Sequence, residues 1–327
     1  MKYDIFRAST VAVYVAMVTI PSATAQDRQD WPSDLTIGTA SQGGTLYSYG
    51  AGVGAVVAEE LGLIVNAEIT GGPVQNVTLV QTGEHDIGLV TMGPMYEAWT
   101  GVSELAPGLE HRDVRALFPM YTSAFHAVAL ASHGVTGVSD LDGHRVSVGP
   151  AGGTPGTYWP RMFEALGIAP SVSFTSGADA ADQLKDGLID GYFFAAGLPV
   201  SSFSQLSAEA DVTIFGFTPE EQEQLLAEFP SVAPFTIPAN TYPDQSEALA
   251  SLAMWNFAVV NASMPENLAY EITKLVLGDN ARMLQIHAAA RETLTENWVN
   301  NSFLPFHPGA VRYLEEQGIN VPAELRG

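Results

Sequence analysis

The sequence contains no cysteine. This excludes a disulfide framework, a thiolate nucleophile or metal ligand, and a lipid anchor attached through a cysteine. The chain has 327 residues, of which 46% are apolar, so it is long enough to bury a large core in one to three domains. That core has to stabilise the fold without covalent cross-links.

Basic residues are scarce, with 13 Lys and Arg against 36 Asp and Glu and a formal net charge of −23. A field of this sign disfavours nucleic acid and anionic membrane surfaces as partners. It also repels an anionic ligand at long range, so local hydrogen-bond donors have to bind such a ligand. Solubility in a salty medium and docking to a partner both stay open as reasons for the charge.

Long hydrophobic runs are also missing after the first 25 residues. Near the start, Lys2 and Arg7 precede an apolar run at residues 8–20, which is too short to span a bilayer. Ala23-Thr24-Ala25 fits a signal-peptidase site. We therefore predict a cleavable signal peptide over residues 1–25 and a periplasmic protein, with a transmembrane anchor as the alternative.

The usual motifs of nucleotide and hydrolase sites are absent. There is no G-x-G-x-x-G, and Gly44 stands where a P-loop starting at Gly38 needs its lysine. The seven histidines form no H-x-x-x-H pair, and no G-x-S-x-G occurs. We predict no catalytic residue, metal or cofactor, although a Ser/His/Asp set assembled from distant residues stays open because triads are defined in space.

The most informative stretch is LTIGTASQGGTLY at residues 35–47. Leu35 and Ile37 predict a buried strand, and an apolar face starting at Leu46 predicts a helix after the glycine-rich loop. Glycine lets the backbone approach a guest closely, and the free N–H groups of a helix start attract an anion. The loop is therefore predicted to hold a small, negatively charged group.

Strands and helices alternate along the chain, which indicates parallel α/β sheet with ligands at the carboxyl ends of the strands. The predicted strands lie at residues 35–37, 63–70, 86–91, 144–149, 171–175 and 189–195, with a strand-rich segment at 115–130. Helices are predicted over 74–82, 179–186 and 266–277, with one that carries Leu46 and Leu61 on one face and stops at Gly62, one ending at 166 and one following 310. Prolines at 230, 234, 238 and 243 mark a linker-like segment.

Two short patterns occur in both halves. GGTLY at residues 43–47 and PGTY at 155–158 each open a helix, and Gly83 and Gly187 each precede an aspartate by three residues. These echoes predict two similar lobes. The alternative is that all α/β units place glycine at such turns.

Six segments, in order along the chain, resemble the TAXI family of TRAP-transporter solute receptors. They are GTASQGGTLY, TGGPVQN, DLDGHRVSVGPAGGTPGT, LKDGLIDGYFFAAGLP, TIPANTYP and LPFHPGAVRYL. The resemblance implies an α/β type II periplasmic binding protein with a ligand cleft between two lobes. It implies lobe I over 32–120 plus 234–327 and lobe II over 121–233. The implied ligand is a small organic carboxylate such as glutamate, 2-oxoglutarate or another dicarboxylate, and the implied partner is a TRAP membrane permease.

The matching loops also imply a set of binding residues. From lobe I these are Thr39, Ser41, Gly44, Thr45, Tyr47, Pro73, Val74 and Asn76; from lobe II they are Gly153, Thr154, Gly156, Thr157, Phe194, Gly197 and Pro199. Helix capping is the alternative role for Thr45 and Thr157.

Aromatic side chains and one arginine are further candidates by residue type. Tyr121 is suited to a cleft wall or a phenolic donor, as are Tyr47 and Tyr158, and Trp159 is suited to a wall; core packing is the alternative for Tyr47 and Trp159. Arg161, one turn into a predicted helix, is either a carboxylate clamp or a surface arginine.

We therefore expect a monomeric, non-enzymatic receptor that delivers its ligand to a permease. A ligand-sensing subunit for a membrane signalling protein and an exported hydrolase are the alternatives.

Overall fold

The computed structural model describes residues 28–243 and 245–327; the predicted signal peptide at 1–25 lies outside the described residues. The strands are β1 (Asp34–Gly38), β2 (Ile64–Glu68), β3 (Ile87–Thr91), β4 (Val114–Leu130), β5 (Arg145–Ser147), β6 (Ser171–Ser173), β7 (Gly191–Ala196), β8 (Val212–Phe215), β9 (Ala233–Ile237) and β10 (Leu249–Asn261). The helices are α1 (Thr45–Leu61), α2 (Pro73–Thr82), α3 (Met92–Trp99), α4 (Thr154–Leu166), α5 (Gly177–Lys185), α6 (Ser201–Glu209), α7 (Pro219–Glu228), α8 (Glu266–Gly278), α9 (Asn280–Ile286) and α10 (Pro308–Glu316). No helix in this part of the chain is long and apolar enough to cross a membrane.

The strands form one mixed sheet in the order β2-β1-β3-β10-β4-β7-β5-β6. A parallel block of β2, β1 and β3 lies at one end, and a parallel block of β7, β5 and β6 lies at the other. In each block the strand that comes first in sequence is central, so both halves have the same local topology. The alternation of strands and glycine loops predicted these two units correctly.

The antiparallel pair β4–β10 joins the two blocks. Its pairing runs from Val114–Asn261 to Phe125–Leu252, with shifts of register between Trp255 and Phe257 and between Ala258 and Val259. Both strands are almost continuously buried because they pass through the interior of both halves. The strand-rich segment predicted at 115–130 is thus a single long strand.

The hydrophobic core divides along this pair. One core contains Tyr121 and Phe257. The second block has a core on each face: one contains Phe125 and Met254, and the other contains Ala124. The first predicted lobe boundary, at 120/121, lies just before this division, because Tyr121 still packs with the first core and Ala124 packs with the second half. Beyond the second predicted boundary, at 233/234, Ile237, Tyr242, Leu252 and Met254 also pack with the second half. The lobe division stays a prediction, and the cores favour a second boundary after Met254.

The linker predicted around residues 230–243 is wrong for Ala233–Ile237, which forms β9 and pairs with Leu249–Ala253 of β10. Proline is tolerated there because β9 is an edge strand, where a missing N–H donor faces away from the ladder. The sequence reading also missed α3, α6, α7 and α9. A signal for α7 was present, because Thr218 and Glu221 form a capping box at its start.

The repeated glycine–aspartate pattern has the same structural role in both halves. Gly83 and Gly187 take left-handed backbone conformations at φ 75° and 71°, which glycine adopts without strain. Three residues on, a carboxylate accepts from a backbone N–H of the first strand of its block: Asp86 from Thr36 at 2.8 Å, and Asp190 from Arg145 at 3.0 Å. Each aspartate therefore ties a helix-to-strand turn to the central strand.

We expect Asp190→Asn to lower the free energy of unfolding at neutral pH. Hydrogen bonds from the Arg145 side chain lower the pKa of Asp190 from 3.8 to about 2. A carboxylate whose pKa is lower in the folded state stabilises the protein above its unfolded pKa, and this stabilisation is lost as pH falls toward the folded pKa. The difference in unfolding free energy between the unaltered protein and Asp190→Asn should therefore narrow from pH 4 to pH 2 in urea titrations. A pH-independent difference, matching that of the exposed control Asp186→Asn, would contradict this role.

Candidate functional site

A small cavity of about 20 Å³ lies between the two halves. It is enclosed by the loops that follow β1, β2 and β5 and by the end of β7, which are carboxyl ends of parallel strands. Its lining consists of Ala40, Ser41, Gly44, Thr45, Leu46, Gly71, Pro73, Thr91, Pro150, Gly153, Thr154, Pro155, Phe194, Ala195 and Ala196.

The loops of the two halves touch through their backbones. Val74 N donates to Gly152 O at 3.1 Å, and a Cβ at Gly72 would lie 2.9 Å from the Gly153 Cα. Gly72 also has φ 117°, a conformation open to glycine alone in practice. Glycine is therefore needed here for the halves to approach this closely.

Further hydrogen bonds cross the cleft on its other side. The Thr45 hydroxyl donates to Gly197 O at 2.6 Å, and this bond is fully buried. Ala178 N donates to Gln42 O at 3.2 Å, and Ser202 N donates to Gly43 O at 3.1 Å. With contacts on both sides of the cavity, this structure shows the cleft closed.

Helices α1 and α4 both begin at the cavity. Their N-cap residues are Gly44 and Gly153, so neither helix has a capping side chain. The amides of Thr45 and Thr154, the first helical residues, are buried and find no acceptor among the described residues. Two helix starts with free donors and partial positive charge therefore open onto one cavity from opposite halves.

The floor of the cavity is connected to the crossing strands by a buried hydrogen-bond chain. Thr154 donates to Thr91 at 2.7 Å, and Thr91 donates to Asn256 Oδ1 at 2.8 Å. Asn256 Nδ2 in turn donates to Tyr121 O at 2.7 Å and to Ser123 Oγ at 2.8 Å. Asn256 lies between Trp255 and Phe257, where the β4–β10 register shifts. This hydrogen-bond chain thus links α4 to the point where the cores of the two halves meet.

The structure brings seven of the predicted binding residues together around the cavity: Ser41, Gly44, Thr45, Pro73, Gly153, Thr154 and Phe194. Their contact with a ligand stays a prediction. The other predicted residues lie outside the lining.

Among these, Thr39 and Asn76 hold the loops in place. Asn76 Nδ2 donates to Gly38 O, Thr39 O and Leu89 O at 2.7–3.0 Å. The Thr39 hydroxyl donates to Glu68 O at 2.6 Å. With their polar groups committed in this way, both side chains shape the cavity from behind.

Three predicted residues lie on the first turns of helices. Thr157 donates back to Gly153 O within α4, Val74 contacts Gly152 through its backbone, and Tyr47 is half-buried on α1. Gly156 is packed so tightly against the Pro150 carbonyl that a Cβ would overlap it. Pro199 is half-buried and follows a cis peptide bond.

Tyr121 lies in the core behind the cavity. Its ring packs edge-on against Tyr49, with centroids 5.1 Å apart, and against the backbone of Gly197. Its hydroxyl is buried without a hydrogen-bond partner among the described residues, and burial raises its pKa well above the usual range. Trp159 is also fully buried, and its Nε1 donates to Phe194 O at 3.0 Å.

Arg161 does not line the cavity and instead contacts α3 of the other half. Its guanidinium contacts Glu97 at 2.7 Å and Glu104 at 2.9 Å, and it lies over the ring of Tyr158. Burial alone would lower the pKa of Arg161, but the bonds to these carboxylates outweigh burial and raise it. A ligand contact by Arg161 would require both ion pairs to break.

Eight lining residues were not predicted individually: Ala40, Leu46, Gly71, Thr91, Pro150, Pro155, Ala195 and Ala196. Most lie in the loops that the sequence reading had selected. Thr91 carried its own signal, because it is a hydroxyl residue at the carboxyl end of a predicted parallel strand.

The sequence matches the NMT1-like family over residues 37–318, which includes every loop around the cavity. The chain belongs to the NMT1-like family. Among solved structures it is similar to periplasmic binding protein BugD, with a TM-score of 0.55 and 12% identity over 88% of this chain and 99% of that chain. It is also similar to MatC from Rhodopseudomonas palustris with bound malate, with a TM-score of 0.54 and 15% identity over 88% of this chain and 97% of that chain.

At these identities the likeness shows the fold alone. It confirms the two-lobed, periplasmic-binding-protein type of α/β fold that the sequence motifs implied. The cavity of this NMT1-like protein lies in the cleft between the lobes.

We expect Thr91→Val to destabilise the protein by about 1–3 kcal/mol, since valine keeps the shape but leaves Asn256 Oδ1 buried without its donor. Urea unfolding measures this change. Thr157→Val is the matched control, because that hydroxyl bonds only to its own helix at Gly153 O. Equal effects of the two substitutions would show that the buried hydrogen bonds of Thr91 stabilise the protein no more than a hydrogen bond within one helix does.

Proposed function

We propose that this protein is a periplasmic solute receptor that binds a small organic carboxylate between its lobes and delivers it to a membrane permease. The observation that carries the proposal is the meeting of two uncapped helix starts, α1 and α4, at one interlobe cavity. Donors in this arrangement suit a carboxylate, and each charge-assisted hydrogen bond contributes about 1.5–3 kcal/mol.

Binding between lobes implies a mechanism based on closure. A ligand that contacts α1 and α4 at once binds the closed state better than the open one and shifts the population toward it. The register shift between Trp255 and Phe257 lies at the division between the cores, so we propose this segment as the hinge. The structure of MatC with bound malate supports a carboxylate ligand for this fold.

The finer assignment rests on the sequence motifs. The ordered series from GTASQGGTLY to LPFHPGAVRYL resembles the TAXI family, so we propose a TRAP membrane permease as partner. Glutamate, 2-oxoglutarate or another dicarboxylate is the ligand class that this resemblance implies. The protein acts as a binding protein in this proposal and catalyses no reaction.

The function is tested by thermal unfolding of refolded, ligand-free protein against mono- and dicarboxylates, amino acids and sugars. A ligand at about 100 times its Kd adds about 2.7 kcal/mol to the free energy of unfolding, which raises Tm by several degrees. Stabilisation by a carboxylate supports the proposal. Stabilisation by a sugar alone, with every carboxylate silent, contradicts it.

We expect Arg161→Met to raise the Kd of the stabilising ligand by about two- to fivefold, as partly exposed ion pairs contribute less than about 1 kcal/mol. Arg161 lies on α4, whose buried residues pack in the second half, and Glu97 lies on α3, whose buried residues pack in the first core, so their ion pair favours the closed state. Isothermal titration measures the change.

The matched control is Arg312→Met. Arg312 also contacts a glutamate, Glu266, and lies over a tyrosine ring, Tyr270, but these partners belong to its own lobe. An equal loss of affinity in both variants would rule out an interlobe role for Arg161.

A further inference from the structure

The cavity wall contains no Lys, Arg, His, Asp or Glu. The arginine on the neighbouring helix, Arg161, is held by Glu97 and Glu104, so that cluster brings no net positive charge to the cleft. The chain as a whole carries −23. Any attraction for an anion in this cavity therefore comes from backbone dipoles and neutral donors.

The dipoles of the helices at the cavity can compensate one negative charge on a ligand. A helix start carries about half a positive charge, so α1 and α4 together supply about one unit. The third helix at the cavity, α2, adds less, because its Val74 amide already donates to Gly152 O. A second carboxylate would be buried without a compensating partner, at a cost of several kcal/mol.

Neutral side-chain donors are nearly exhausted. The hydroxyls of Thr45, Thr91 and Thr154 donate to Gly197 O, Asn256 Oδ1 and Thr91 Oγ1. Ser41 remains. It is 6% exposed and accepts from Gly177 N at 3.5 Å, and its own proton has no acceptor among the described residues.

The rest of the cavity wall is apolar, and it encloses little space. Leu46, Pro73, Pro150, Pro155 and Phe194 line it together with three alanines. The volume of about 20 Å³ is room for one or two water molecules, so any organic ligand has to hold the lobes further apart than they are here, and a short ligand requires the least opening. An ammonium group would also find no carboxylate to pair with, which disfavours amino acids.

We infer that the ligand of this cavity is a short-chain monocarboxylate, held at its carboxylate by the α1 and α4 amides and the Ser41 hydroxyl. Its body is apolar and lies against Phe194 and the prolines. This inference rests on the proposed function and narrows it, because it replaces the dicarboxylate that the sequence resemblance implies with a singly charged ligand.

The test is isothermal titration of the ligand-free protein with propionate, butyrate, succinate and glutamate, and with propionamide as the uncharged match of propionate. Propionate or butyrate should bind, with propionamide at least about tenfold weaker. Tighter binding of succinate or glutamate overturns the inference and leaves the proposed function standing. Binding of propionamide with every carboxylate silent overturns both.

A pair of variants tests the donor. Ser41→Ala should raise the Kd of the bound monocarboxylate by about tenfold, because it removes one hydrogen bond to a charged group. Ser48→Ala is the control, since Ser48 donates back to Thr45 O and does not line the cavity. Equal Kd values for Ser41→Ala and the unaltered protein overturn the assignment of Ser41.

Discussion

The pairing of β4 with β10 is the constraint on which the rest of the structure depends. These strands run through both halves and contribute to the cores on both sides, so the halves cannot separate without breaking buried ladder bonds. The freedom that remains lies where the register shifts, beside Asn256. Asn256 also accepts a hydrogen bond from Thr91. A change in the angle between the two halves at this point is therefore coupled to the floor of the cavity.

The proposed carboxylate site illustrates how an acidic protein can bind an anion. A cationic side chain on the wall would attract the carboxylates of the protein itself, as Arg161 does with Glu97 and Glu104. The backbone N–H groups at a helix start cannot rotate toward other carboxylates as a side chain can. The electrostatic effect of their partial positive charge decreases within about one helical turn. The attraction is therefore confined to the cavity, and the long-range field stays negative.

Much of this arrangement could be predicted from the sequence because it is local. Glycine marked the helix ends at Gly62, Gly83 and Gly167, and the loops after β1 and β5 were selected by their glycines and hydroxyls. What could not be predicted depends on contacts between distant residues. Arg161 meets Glu97 across the cleft, and Ile237, Tyr242, Leu252 and Met254 pack with the second half because β9 and β10 cross into it.

The duplication of the local unit explains why the proposed binding requires closure. Each half provides the same parts: a central strand, a glycine-rich loop and an uncapped helix start, with an aspartate that ties the turn behind them. Each half alone supplies about half a positive charge and one wall, which is too little to replace the hydration of a carboxylate. Only the two helix starts together compensate the single negative charge of a carboxylate. The open lobes therefore bind such a ligand weakly, and the closed cleft binds it more tightly.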